Sequence, residues 1–251
     1  MKKFLKPTNL PVITASLGGI ALVLRKMLYA FAVDAKGLLP LYHPLEIALG
    51  LLSAGALVYI LLTVWKLDGS AQYADNFAAD RYALAGHIAA AAGIVLTVLT
   101  REPMMPGYLG QGWLVLGYLA PVCLVLAGID RYRGRQPFFL LHLVPCLFLV
   151  FHIVNHYQFW SGNPQLQDYV FTLFGSMALM FFGFYNAAFD ANSGRRRMQL
   201  FMGMAAVYLL LAELAQTRYP WLYLGGILWA LTGLCTLTPV PKPEPEPKEE
   251  K

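Results

Sequence analysis

The chain has 251 residues, of which 58% are apolar and only 13% charged, with a mean hydropathy of +0.54 and a formal net charge of +5. That balance belongs to the membrane class rather than to a soluble domain. Apolar segments of about 20 residues each take up most of the length, which excludes a separate soluble catalytic domain and confines any chemistry to helix interfaces and short loops.

The expected fold is all-α, a polytopic transmembrane helix bundle of about eight spans near 10–33, 45–66, 83–100, 111–129, 138–158, 169–189, 198–216 and 220–238. Residues 1–9 read as a cytoplasmic N-terminus, and 239–251 as an extended cytoplasmic tail in which proline recurs at alternate positions. The start has the basic and apolar regions of a signal peptide but no clear small-x-small cleavage pattern, so it reads as a retained first span.

Lys and Arg are held back on the cytoplasmic side of a membrane. An even number of spans puts both ends on one side. If that side is inside, it holds Lys2, Lys3, Lys6, Lys66, Arg81, Arg131, Arg133, Arg135, Arg195, Arg196, Arg197, Lys242, Lys248 and Lys251, and leaves Lys36, Arg101 and Arg218 outside. The positive charge then faces anionic lipids at the inner loops, and it points to the lipid bilayer as partner and not to nucleic acid.

Span 1 carries Arg25 and Lys26 short of its outer end. Neighbouring positions on a helix diverge by about 100°, so the two cannot share a partner; each either snorkels to the headgroups or meets an acid inside the bundle. His43 and Glu46 follow at the mouth of span 2. In span 3, Ala85, Ala89 and Gly93 recur every four positions, a pattern that lets helices approach closely and makes this span central. His87, near its cytoplasmic end, reads as a hydrogen-bonding interface residue. Cys123, Cys146 and Cys235 lie inside spans without a CxxC pair and read as small core residues.

Span 5 is the most polar of the apolar segments. In the stretch Phe138 to Trp160, His142, His152, Asn155 and His156 fall within an arc of about 140° on a helix, so one face is polar and the opposite one suits lipid. In span 7, Glu213 sits in the apolar run LLLAELAQ, where a carboxylate must be protonated, paired or hydrated; Arg25 or a histidine is its natural partner.

Two weak echoes suggest an internal repeat. Tyr73-Ala-Asp-Asn-Phe77 is echoed by Tyr185-Asn-Ala-Ala-Phe189, and Tyr108-Leu-Gly110 by Tyr223-Leu-Gly225, in the same order and at nearly the same offset. The expectation is two parallel four-helix units, 10–130 and 131–238, related by an axis along the membrane normal. That arrangement brings Arg25, Tyr29, His152 and His156 toward one outward-facing cleft, with His43, Glu46, Asp168 and Glu213 at hand.

The pair His152-xxx-His156 sets two imidazoles on one helix face, about 6 Å apart along the axis, a spacing that could serve zinc or iron. The position that a catalytic HExxH helix fills with glutamate is Ile153 here, and no third ligand follows by spacing, so a metal is disfavoured and no cofactor is expected. The sequence has no GxGxxG, phosphate-loop or GxSxG pattern. In GLLPLYHP and YADNF, and across most of its length, the chain resembles uncharacterised multi-pass membrane proteins of bacteria. The resemblance implies a bacterial plasma (cell) membrane but no assigned activity, so no functional residue is carried over.

Three readings follow. The first is a small-molecule or ion transporter, with Arg25, Tyr29, Glu46, His152, Asn155, His156 and Glu213 as substrate or proton-relay candidates. The second is a non-catalytic accessory, sensor or assembly protein whose polar groups lock the bundle against a membrane-protein partner or a second copy. The third is a membrane-embedded metal-dependent enzyme on His152 and His156. The first is preferred, because ionisable residues inside a membrane are by default functional.

Overall fold

The computed structural model of the chain describes residues 9–32, 43–65, 67, 69–101, 103, 107–160 and 167–238. The segments 1–8, 33–42 and 239–251, with the terminal and loop lysines assigned to them above, lie outside the described residues. So does the side chain of Asp168. Among the described residues there are nine helices: α1 (Leu10–Phe31), α2 (Pro44–Trp65), the single turn α3 (Tyr73–Asn76), α4 (Arg81–Thr100), α5 (Tyr108–Tyr132), α6 (Leu140–Trp160), α7 (Gln167–Asp190), α8 (Arg196–Glu213) and α9 (Pro220–Cys235). No β-strand accompanies them, only an isolated antiparallel bridge between Phe77 and Leu237.

Each expected span coincides with one helix to within a few residues. Six of them, α1, α2, α4, α5, α6 and α7, are long and apolar enough to cross a bilayer, and the chain is a multi-pass integral membrane protein. The remaining two fall short for different reasons: α9 has only 16 residues, whereas α8, with 18, is less apolar.

Local chemistry sets the helix ends. Pro11 and Pro220 occupy the first turns of α1 and α9, where the missing N–H costs nothing. The Asp80 carboxylate caps α4 by accepting from the Tyr82 backbone N–H at 2.6 Å. Gly134, at φ +69°, turns the chain from α5 toward α6 in a conformation that suits glycine.

The helices α4 to α9 close into a ring in chain order, each packed on the next, with α9 returning to α4; the α1–α2 hairpin lies outside that ring against α8. This position explains the character of α8. It meets α1, α2, α7 and α9, has little face left for lipid, and can therefore carry Arg196, Gln199, Tyr208 and Glu213 buried. By contrast α2 shows Leu51, Leu57, Val58, Leu61 and Leu62 on its outer surface, as a lipid-facing helix must. Each of the two expected units consists of two consecutive helix pairs, α1–α2 with α4–α5 and α6–α7 with α8–α9. They differ in how those pairs meet, since α7 packs closely on α8 whereas α2 and α4 are not close neighbours.

The tightest seam joins α4 to α9. A Cβ on Gly93 would lie 2.4 Å from the Trp221 carbonyl oxygen, and one on Gly225 2.7 Å from that of Ala89. The close-packed stripe of α4 is thus Gly86, Ala90 and Gly93, with Ala89 beside it. Ala85, expected in the stripe, is exposed instead, because the contact runs one position further along the helix. The ring's interior is filled by Trp113, Leu124, Phe148, Leu179, Phe182 and Trp229. Beside Ile94, Leu149, Leu179 and Trp229 lies a cavity of about 10 Å³, which is room for one water at most.

Candidate functional site: two buried polar layers

One polar layer lies at the Glu213 end of the bundle. Arg25 on α1 and Glu213 on α8 are buried, and Arg25 Nη1 donates to Glu213 Oε2 at 2.5 Å and to the Ala212 carbonyl at 3.3 Å. Arg25 Nη2 also donates to the Tyr29 hydroxyl at 3.5 Å, and the guanidinium sits 4.8 Å from the Phe171 ring centroid. Lys26 is exposed, so the two adjacent cations divide as helical geometry requires: one enters the bundle, the other leaves it. Glu46 opens α2 at this end and is half-buried.

At the same end of the bundle α9 begins, with Tyr223 buried in its first turn. The Tyr223 hydroxyl stands 3.4 Å from His152 Nε2, and Ser176 Oγ donates to it at 3.5 Å. Trp113 Nε1 donates to His152 Nδ1 at 3.4 Å. His152 and His156 have ring centroids 4.5 Å apart, and the edge of Tyr219 abuts both. Asn155 Nδ2 donates to the Phe151 and Leu109 carbonyls, while its Oδ1 has no hydrogen-bond partner among the described residues. Arg25, Tyr29 and Glu213 thus form one polar cluster on α1 and α8, and His152, Asn155 and His156 a second on α6; the second is closed over, with His152, Asn155 and His156 each at most 4% exposed.

A second layer, at the Asp190 end, gathers residues that the sequence reading treated singly or as loop charges. His142, at the start of α6, bridges His87 of α4 and Asp190 of α7: Nε2 meets His87 Nε2 at 3.0 Å, and Nδ1 meets Asp190 Oδ2 at 2.5 Å. His87 Nδ1 donates to the Ala83 carbonyl at 2.7 Å. Trp229 lies parallel to the His142 ring at 6.1 Å. Arg131, in the last turn of α5, is 1% exposed; it donates to Asn186 Oδ1 at 3.1 Å and lies 4.0 Å over the Phe77 ring. Gln199 Nε2 donates to the same Asn186 oxygen at 2.6 Å.

This layer is sealed by the turn α3 and the end of α9. Arg196 Nη1 donates to Asn76 Oδ1 at 2.9 Å and Nη2 to the Thr238 carbonyl at 2.6 Å. Tyr73 donates its hydroxyl to the Arg135 carbonyl at 3.2 Å, and burial pushes its phenol above the ordinary range. Phe77 meets Phe189 edge-on at 5.4 Å, so the two echoed YxxxF segments end in contact with each other.

Arg131 looks like a loop charge in the sequence because the apolar run ends at 129, whereas α5 continues to Tyr132 and carries the side chain into the bundle. The available signal was spacing: Asn186 and Asp190 stand four apart on α7, one above the other on a single face.

A groove of about 460 Å³ runs between α2, α7 and α8, but Ser53 and Tyr208 on its wall bond each other at 2.8 Å and the rest of its lining is apolar. It suits lipid tails, not a polar solute. Among the described residues no three His, Cys, Asp or Glu side chains gather in a way that could hold a metal ion; both ring nitrogens of His152 already face Trp113 and Tyr223. No family model, no curated protein and no solved structure matches the chain.

Proposed function

We propose that the protein is an ion transporter of a bacterial plasma membrane, crossing it eight times with both termini in the cytoplasm and carrying its path inside the ring α4–α9. The supporting observation is that ionisable groups are buried at both ends of one helical bundle, His152 and His156 with Arg25 and Glu213 at one end and His87, His142, Asp190 and Arg131 at the other. Between them lies an apolar plug of Phe148, Leu149, Leu179 and Trp229. His142 and His152 are about 15 Å apart along α6 by helical rise. Buried charge is costly in a bilayer and marks ion and proton pathways; two polar layers closed on either side of a plug match an occluded state between two openings.

The distribution of Arg and Lys supports a cytoplasmic side for the Asp190 layer, beside anionic lipid. In this reading the two four-helix units are a relationship between hairpins, and the ring is the working body. The fully paired state of Arg25 and Glu213 favours one competing reading, an assembly protein whose charges only lock helices.

The test is flux through vesicles that contain the full chain. Separate gradients of H⁺, Na⁺, K⁺ and Cl⁻ are imposed and their decay is followed by stopped flow. At least one gradient decays faster than in protein-free vesicles, and His152→Ala slows it. Decay equal to the protein-free rate for all four overturns the reading.

A further inference from the structure

The contacts of the Asp190 layer can be counted in protons. Three polar contacts run in series: Ala83 carbonyl to His87 Nδ1, His87 Nε2 to His142 Nε2, and His142 Nδ1 to Asp190 Oδ2, at 2.7, 3.0 and 2.5 Å. Each joins two atoms that carry lone pairs, so each needs one hydrogen between them. Two neutral imidazoles supply two hydrogens. The carbonyl cannot donate, so His87 Nδ1 must carry its proton; His87 Nε2 is then an acceptor, and His142 Nε2 must donate to it. Nothing remains for the third contact unless the group holds one proton more.

We propose that Asp190, His142 and His87 form a buried binding site for a single proton, held between Asp190 Oδ2 and His142 Nδ1. The proton makes the pair either an imidazolium with a carboxylate or an imidazole with a carboxylic acid; in both cases it occupies the same contact. Its release leaves a carboxylate oxygen facing an imidazole lone pair. Moving the hydrogens along the series does not help, because the repulsion only shifts to the His87–His142 or the His87–Ala83 contact. Unloading therefore has to part Asp190 Oδ2 from His142 Nδ1, by turning a side chain or by separating the start of α6 from the end of α7.

The surroundings suit a site that exchanges its proton. Among the described residues, the charged and titratable groups beside it are Arg131 from α5, which reaches it through Asn186 one turn before Asp190, and Tyr73 from α3; from α9, Trp229 lies against the His142 and His87 rings. Asp190 Oδ1, Arg131 Nε, Asn186 Nδ2 and Gln199 Oε1 are buried polar atoms with no hydrogen-bond partner among the described residues. Arg131 and Gln199 both bond Asn186, which stands one helical turn before Asp190 on α7, so two donors and two acceptors gather beside Asp190. Such a set suits water, which bridges buried polar groups through two to four bonds and can carry a proton to Asp190 from the end that α3 covers.

The inference rests on the transport reading only for the proton's destination, and the experiment separates the two. The full chain, with ¹⁵N-labelled histidine, is placed in lipid vesicles at pH 8, above the ordinary histidine value of about 6.5. Histidine protonation is read by solid-state NMR and carboxyl protonation by infrared absorption. The expected result is one doubly protonated imidazole or one carboxylic acid, lost in Asp190→Asn, whose amide N–H supplies the third hydrogen permanently. A spectrum with neutral imidazoles only and no carboxylic acid overturns the site; it decides the matter from the unsubstituted protein even if Asp190→Asn fails to fold. A loaded site in vesicles that pass no ion removes the transport reading alone.

Discussion

Arg25 and Glu213 are 188 positions apart in the chain and meet at 2.5 Å in the contact between α1 and α8. The pair ties the outer hairpin α1–α2 to the ring, in surroundings where either charge alone would be expensive.

Removing one partner of a buried ion pair costs about 3–5 kcal/mol, because the other charge is left uncompensated, whereas replacing both by apolar residues is often close to neutral. Arg25→Leu and Glu213→Leu are each expected to lower stability by that order, and the double substitution by less than either. Unfolding in mixed micelles of rising SDS fraction measures all three. Equal and additive losses would show that the pair is not coupled.

The α4–α9 seam leaves no room for a side chain, since the atoms nearest to a Cβ on Gly93 or Gly225 are backbone carbonyls. Overpacking of this kind costs about 1–3 kcal/mol, and Gly93→Leu is expected at the upper end. Gly55 on α2, where a Cβ meets nothing within 4 Å, provides the control: Gly55→Ala gains up to about 1 kcal/mol of helix propensity. The same micelle titration distinguishes them.

Water access to the Glu213 layer can be read by thiol labelling of intact cells. With Cys123, Cys146 and Cys235 replaced by alanine, single cysteines at positions 25, 152, 156 and 213 meet a membrane-impermeant reagent, with position 218, exposed here, as control. The closed layer predicts slow labelling of all four at rest, and faster labelling, as a group, when the transported ion is added. Four positions that stay dark under every gradient would mean a sealed interface and favour the assembly reading.

Tyr73 gives the alkaline limit of the Asp190 end. Burial raises its phenol above the unfolded value of about 10, so the neutral form is the one the fold favours. That contribution is fully present below about pH 10 and is lost as pH rises through the higher folded value. Tyr73→Phe loses the hydrogen bond to Arg135, about 0.5–1.5 kcal/mol, and is expected to show a flatter stability profile between pH 9 and pH 11, measured by thermal melts in detergent.

Much of the architecture was legible because helix formation and apolarity are local. Each expected span falls on a helix, and Glu213 could be recognised as a carboxylate in need of a partner from its apolar neighbours alone. The polar face of α6 was equally readable, since 3.6-residue periodicity places His142, His152, Asn155 and His156 together without knowledge of any other helix. At Arg131 local reading failed: a cation in the last turn of a helix looks like a loop charge until the helix is seen to continue and to turn it inward.

The amino-acid sequence by itself determined a multi-pass helical membrane protein, its helix positions and the inward polar face of α6, because backbone hydrogen bonds and transfer from water to lipid act over a single segment. Only the tertiary structure decided that Glu213 chooses Arg25, that α4 closes a ring on α9, and that His87, His142 and Asp190 stand in one line. Those partners lie on different helices, and which faces meet depends on the packing of whole helices: Gly93 against Gly225, α8 among four neighbours. No spacing within one segment encodes that choice.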